Sequence, residues 1–441
     1  MTDSTAAPSS VRSMENARLS APARPTTGEA VRVALACPNE PRDKAAAAES
    51  QPEAGPAESQ PEAGRAESLP EAGPAEPQPG IGPTEPRPEP GDVVRTADLG
   101  IREFADYDLV IDARSPREFA DDHLPGAINL PVVGNDQYVQ VGILYKADRH
   151  RAYLRGVADS LRNMADALDQ TLAPLPAHAR ILVYCFRGGK RSRLWADTLQ
   201  TIGFRTDRLD GGWKRYRRWV IASLESLPRG FDYRVLNGPT GCGKTRLLGA
   251  LAAAGEQVLD LEGVARHRGS LIGAIPGTEQ PGQKLFESEL LARLRAFDRA
   301  RPVWIEAESK KIGAVQLPTA LFESLHRARR VYSLAVPMSE RVRVWNEDFG
   351  HFAADPNAML ERLQHLVPLV GRDEFEAWKA LADARLVDLL FERIMVNHYD
   401  PAYARTSKRN YGRQPATPLP LPDLDPGSLA TAAAALASGN P

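Results

Sequence analysis

Cysteine is scarce in this chain: Cys37, Cys185 and Cys242 are the three among 441 residues, and they sit in unrelated contexts. Three such thiols build no disulfide framework, which excludes a stapled secreted scaffold and fits a reducing compartment. Long apolar runs are missing too. None approaches the roughly 18 apolar residues of a membrane span, and no cationic-then-apolar signal segment is recognisable. The reading is a cytoplasmic protein without membrane contact. An excess of charge of either sign is also lacking, since 55 Lys and Arg offset 57 Asp and Glu for a net −2. Average charge therefore identifies no partner, and local charge has to do so.

Large apolar residues are nearly absent from residues 1–93, which carry the repeats "AESQPEAGP", "AESQPEAGR", "AESLPEAGP" and the degraded "AEPQPGIGP". Such a Pro/Glu/Ala-rich segment buries too little surface to offset its chain entropy, and its period is too short for a solenoid unit. A disordered arm is expected there. Beyond it, strands alternate with helices. "LVID", "AINLP" and "ILVYC" read as strands, "SPREF" opens a helix with Pro116 in its first turn, and helices follow around 152–168 and 191–202. This alternation indicates a parallel α/β sheet in residues 94–226. A second α/β unit is expected over 230–400, with strands at "YRVLN", "QVLDLEG" and "PVWIEAES" and mostly helical sequence afterwards. Residues 401–441 start basic and aromatic, turn proline-rich and finish alanine-rich, and read as a tail.

Within the first unit, "ILVYCFRGGKRSRL" carries the strand end, Cys185 and the loop Phe186, Arg187, Gly188, Gly189, Lys190, Arg191 and Ser192. A thiol at the C-terminal end of a parallel strand lies where open α/β sheets bind ligands. Loop N–H groups and the following helix N-terminus favour negative charge, the glycine pair permits a tight curl, and the cations add fixed charge. All of this promotes the nucleophilic thiolate. A buried structural thiol would need neither the glycines nor the arginines.

"GPTGCGKT" in the second unit fits G-x-x-x-x-G-K-[ST], and it follows a strand and opens a helix. Gly238, Gly241, Gly243, Lys244 and Thr245 are candidate phosphate ligands, with Thr245 able to hold a magnesium ion. Cys242 reads as a small filler. Glu306, in "VWIEAES", is the candidate acidic or metal partner, although the usual aspartate is absent there; no metal site is certain.

The cysteine loop and the upstream "IDARSPREFADDHLPGAINLP" resemble the rhodanese family. One departure matters. Five residues separate Cys185 from the closing Arg191, where the family's sulfurtransferases have four. Rhodanese-fold phosphatases share the longer loop, which suits a phosphorus-centred tetrahedron. A rhodanese-like domain followed by a P-loop NTPase-like domain resembles the tRNA 2-selenouridine synthase family. "VGILYK", "DGGWKRYRR", "DLEGVARHRGS", "QPGQKLFES" and "IEAESKKIG" extend the likeness over most of residues 98–403.

That resemblance implies conversion of wobble-position 2-thiouridine to 2-selenouridine through S-geranyl-2-thiouridine. Geranyl diphosphate and selenophosphate are the implied co-substrates, Mg2+ is a candidate ion, and no tightly bound cofactor is expected. The implied partner is the tRNA anticodon loop, with a selenophosphate-supplying enzyme a further candidate. Selenation is expected at Cys185 and the diphosphate at the phosphate loop. Cations interleaved with rings are what unstacked bases require. They make Arg215, Arg217 and Arg218, His267 and Arg268, and Arg405, Lys408 and Arg409 candidate tRNA contacts. Two rival readings stay open: a rhodanese-fold phosphatase or sulfurtransferase with a regulatory P-loop domain, and a small-molecule kinase or ATPase with a non-catalytic rhodanese module.

Overall fold

The computed structural model describes residues 94–411 and 416–439. The expected arm at 1–93 and the side chain of Arg409 lie outside the described residues.

The first sheet consists of β1 (Leu109–Asp112), β2 (Ala127–Asn129), β3 (Arg180–Tyr184) and β4 (Arg205–Arg208), in the order β2-β1-β3-β4. All its pairings are parallel, with Val110 opposite both Ala127 and Leu182. The central strands are apolar throughout because both faces are covered. Ile111, Ile181, Leu182 and Val183 are fully buried. The helix Pro116–Asp121 begins as the "SPREF" pattern predicts: Ser115 caps it, Glu118 closes the capping box and Pro116 occupies the first turn.

The second sheet contains β5 (Tyr233–Asn237), β6 (Gln257–Leu259) and β7 (Val303–Glu306). After a small antiparallel hairpin of β8 (Lys311–Ile312) and β9 (Val315–Gln316), it is completed by β10 (Arg330–Ala335) and β11 (Ala416–Pro420). The order is β11-β10-β5-β7-β6, again all parallel.

β11 departs from the expectation of a tail beyond residue 401. It pairs with β10 from Val331–Ala416 to Ala335–Pro420. As an edge strand it tolerates Pro418 and Pro420, whose missing N–H groups would break a central strand. The helix Pro426–Ala437 then packs on the helix Lys244–Ala253, so that Leu419, Leu424 and Leu429 share a core with Leu247, Leu248 and Leu251. The helical part between the last two strands has its own core around Trp345, Trp378 and Phe391.

The helix Gly212–Ser226 packs on the helices Gln283–Arg295 and Thr319–His326. Through it, one apolar cluster runs from Leu182 and Tyr184 via Tyr216, Val220 and Leu224 to Tyr233, Leu290 and Ile305. Ion pairs reinforce the junction: Lys284 with Asp121 at 2.6 Å, Arg295 with Glu103 at 2.6 Å, and Arg217 with Glu287. No described helix is long and apolar enough to cross a membrane.

Leu424 is 2% exposed and presses on the phosphate loop, its Cδ2 lying 2.7 Å from where a Cβ on Gly243 would be. Leu424→Ala should cost about 2–5 kcal/mol, as buried leucine truncations do. The check is a lower urea midpoint with an unchanged slope.

Candidate active sites

Cys185 follows the last residue of β3 and is 3% exposed. Its Sγ donates to the Ser192 Oγ at 3.3 Å, and that hydroxyl donates to the Gly189 carbonyl at 3.2 Å. Ser192 belongs to the first turn of the helix Lys190–Ile202, so the thiol faces a helix N-terminus.

The loop is seated on the start of the helix Gly212–Ser226. Trp213 N donates to the Cys185 carbonyl at 2.8 Å and Lys214 N to the Phe186 carbonyl at 3.1 Å. Gly212 has φ +57°, and a Cβ on it would lie 2.1 Å from the Cys185 carbonyl oxygen. Only glycine fits there. Below, Arg114 and Asp112 form a fully buried pair at 2.6 Å, and Trp213 Nε1 donates to Asp122 at 2.8 Å.

The loop cations differ in their freedom. Arg191 is fixed by two bonds to Glu118, at 2.7 and 3.2 Å, and Glu118 also accepts from Ser115 N at 3.0 Å. Burial works to raise the Glu118 pKa, but the hydrogen bonds from Arg191 and Ser115 outweigh it and hold the carboxyl below its ordinary value. Arg187 and Lys190 are exposed. The Lys190 ammonium lies 4.3 Å from the Tyr153 ring centre, and Arg187 and Lys214 flank the Phe186 ring, which stacks on Trp213.

The second site is the turn between β5 and the helix Lys244–Ala253. Gly238, Gly241 and Gly243 bring its backbone close to Leu334, Arg341 and Leu424 respectively. The buried Cys242 Sγ fills the space beside Gly238, and burial raises its pKa. The Lys244 ammonium donates to the Gly238 carbonyl at 3.0 Å. Burial alone would lower its pKa, but Cys242, Tyr403, Glu262 and Glu308 outweigh this and keep it cationic.

Glu306, at the end of β7, accepts from the Thr245 hydroxyl at 3.0 Å and from Glu262 N at 3.2 Å. It does not stand alone. One carboxylate oxygen from each of Glu262, Glu306 and Glu308 lies within 4.8 Å of the others. Desolvation and mutual repulsion raise all three pKa values, Lys244 only partly countering this.

A cavity of about 370 Å³ opens over this loop. Lys244, Thr245, Glu262 and Glu308 form its charged end, and Val344, Trp345, Phe349 and Tyr399 contribute apolar wall. Tyr403 closes one side, accepting from Gly238 N and donating to Asn237. Its helix, Asp400–Tyr411, is fastened by Arg341, which binds Asp400 through two bonds of 2.9 and 2.6 Å and donates to the Thr240 carbonyl.

The expected tRNA contacts differ in exposure and in their partners. Arg217 is taken up by Glu287 at the domain junction, and Arg215 donates to the Asp98 carbonyl at 2.8 Å. Arg218 is exposed, but the rings interleaved with these cations, Trp213 and Tyr216, are buried core. His267 is 8% exposed and its Nδ1 has no hydrogen-bond partner among the described residues, while Arg268 lines the cavity, donating to the Asp348 carbonyl and lying over Phe349. Arg405 and Lys408 are exposed.

Glu118, Gly212, Glu262, Glu308 and Tyr403 were not singled out from the sequence. Apart from Glu308, two residues after Glu306, they follow no ligand spacing, and only their place in the resembling stretches signalled Glu118, Gly212, Glu262 and Glu308.

A family model described as "tRNA 2-selenouridine synthase AAA domain" matches residues 231–355, and one described as "Rhodanese-like domain" matches residues 97–218. Among known proteins, the chain is 34% identical to a tRNA 2-selenouridine synthase of Nitrosomonas europaea, covering 62% of this chain and 72% of the relative. The one from Nitrosomonas eutropha is 35% identical, over 53% of this chain and 61% of the relative. That of Chromohalobacter salexigens is 31% identical, over 67% and 86% respectively.

Two outcomes follow from the cysteine loop. Gly212→Ala should destabilise the fold by about 1–3 kcal/mol through its positive φ alone, and displace the Cys185 carbonyl. The readout is the iodoacetamide alkylation rate of Cys185, followed by peptide mass mapping. Glu118→Gln removes a carboxylate whose folded pKa lies below its ordinary 4.5. The stability lost to this substitution should be fully present at neutral pH and vanish as pH falls through the depressed pKa, measured by urea unfolding across that range.

Proposed function

The chain belongs to the tRNA 2-selenouridine synthase family, and from that premise we propose that it replaces the sulfur of wobble 2-thiouridine in tRNA by selenium in two steps. First, the thiocarbonyl sulfur attacks C1 of geranyl diphosphate, the C1–O bond breaks, diphosphate leaves and the base releases its N3 proton. Selenium from selenophosphate then adds at C2, the C2–S bond breaks and geranyl thiol departs, while the phosphorus of selenophosphate passes to water as phosphate. Alkylation is what makes the sulfur a good leaving group.

The cavity over the phosphate loop carries this reading. It joins a charged end, with Lys244 fixed by the Gly238 carbonyl, to a wall containing Val344, Trp345 and Phe349. A short isoprenoid diphosphate has that same division into anionic head and apolar tail. Lys244 and the loop N–H groups would stabilise the charge that develops on the departing diphosphate. The Cys185 loop, closed by Arg191 and flanked by Arg187 and Lys190, suits the smaller selenophosphate anion.

Three converging carboxylates beside the Thr245 hydroxyl fit a divalent cation, because Lys244 and the hydrogen bonds they accept only partly offset their burial and mutual repulsion. Glu262, Glu306, Glu308 and Thr245 would hold magnesium, which would neutralise diphosphate charge when bound. The remaining exposed cations, Arg218, Arg405 and Lys408, stay candidates for tRNA phosphates.

The test is nucleoside mass spectrometry on tRNA bearing wobble 2-thiouridine. With both co-substrates 2-selenouridine should appear, and without selenophosphate S-geranyl-2-thiouridine should accumulate. Unchanged 2-thiouridine would overturn the proposal. Lys244→Ala should lower geranylation by about 100-fold or more, in line with loss of one charge-stabilising donor, yet still selenate tRNA that is geranylated beforehand. Magnesium should raise the melting temperature of the wild type and do so less for Glu306→Gln.

A further inference from the structure

The helices Asn135–Ala147 and Arg149–Ala167 form a hairpin beside the Cys185 loop. No residue of the first helix is buried. Tyr138, Tyr145 and Tyr153 are 54%, 42% and 48% exposed. Tyr145 and Tyr153 meet edge to face with ring centres 5.9 Å apart. Each is paired with a cation: the Arg149 guanidinium lies 5.5 Å from the Tyr145 ring centre and the Lys190 ammonium 4.3 Å from that of Tyr153. Tyr138 lies within electrostatic reach of Arg191. Lys190 and Arg191 belong to the cysteine loop, so the aromatic face and that loop are continuous.

We propose that this hairpin is the docking face for the single-stranded anticodon loop of the tRNA, with Tyr138, Tyr145 and Tyr153 as stacking surfaces for its unpaired bases. It rests on the reading that tRNA is the substrate. Three observations favour RNA as the occupant. Half-exposed rings coupled to cations are what stacked bases and their phosphates need together. The segment "YKADRHRAYLR" (145–155) carries four Lys and Arg against one Asp; Arg155 is taken up by Asp159, and the exposed Lys146, Arg149 and Arg151 complement a phosphate backbone. Finally, a wobble base brought to Cys185 must carry its unpaired neighbours against whatever borders that loop, and this hairpin borders it. The rings after the cysteine loop offer no alternative, because Trp213 and Tyr216 are core residues. The hairpin also gives a role to "VGILYK" (141–146), which neither anion site uses.

The experiment measures binding of a fluorescent anticodon stem-loop RNA to the full chain by anisotropy, at two salt concentrations. Tyr145→Ala and Tyr153→Ala should each weaken binding roughly tenfold. Tyr145→Phe and Tyr153→Phe, which keep the ring, should bind like the wild type. Reversing Lys146, Arg149 and Arg151 to Glu should weaken binding and flatten its salt dependence. The tyrosines are half-exposed, and thermal melting confirms that the variants fold. RNA binding by the wild type that is indifferent to the alanine changes would overturn the proposal and leave the face to a protein partner. Phenylalanine variants as weak as the alanine ones would overturn the stacking role. No RNA binding by the wild type would overturn the tRNA reading itself.

Discussion

The two domains are joined through the packing of one helix, Gly212–Ser226. Its N-terminal turn lies directly under the cysteine loop, where the absence of a side chain at Gly212 lets the Cys185 carbonyl accept from Trp213 N. Its flank buries Tyr216, Val220 and Leu224 in the cluster that also holds Leu290 and Ile305 of the second domain. One apolar cluster thus joins the two domains, while Cys185 and Cys242 themselves sit in two further clusters. Close-packed interiors transmit strain and deform little, so this helix fixes where the cysteine loop stands and how its domain meets the second. The ion pairs around it are partly exposed and contribute mainly orientation; the apolar contact supplies the energy.

The two sites differ in how they handle charge. At Cys185 the closing cation is tied to Glu118, which leaves an orienting guanidinium at the rim and exposed cations outside it. At the phosphate loop the charges are crowded, with three carboxylates around one lysine. The first arrangement suits a small anion that arrives and leaves. The second suits a ligand or ion that supplies missing charge on binding. This contrast fits a division of labour between activating the old sulfur and installing selenium.

Local sequence made much of this legible. Strand–loop–helix patterns at "ILVYCFRGGKRS" and "YRVLNGPTGCGKT" placed two parallel sheets and both loops, because each motif is complete within about fifteen residues. Non-local features were hidden. β11 contains two prolines and pairs with β10 some eighty residues earlier, which only an edge position permits. "WKRYRRW" looked like a basic aromatic surface, but rings at three-residue spacing on a helix fall on one side, so Trp213 and Tyr216 point to the core. Arg217 was likewise readable as a free cation until Glu287 was placed against it. Glu308 stands two residues from Glu306, but Glu262 joins them only in three dimensions. The exposed tyrosines of the hairpin carried no pattern that separates a stacking surface from ordinary helix.

The most direct measurement is nucleoside mass spectrometry on tRNA carrying wobble 2-thiouridine, incubated with a Cys185→Ala protein, geranyl diphosphate and selenophosphate. Separate sites for the two half-reactions predict that S-geranyl-2-thiouridine builds up and 2-selenouridine does not form. Formation of 2-selenouridine at the wild-type rate would contradict the assignment of selenation to the Cys185 loop.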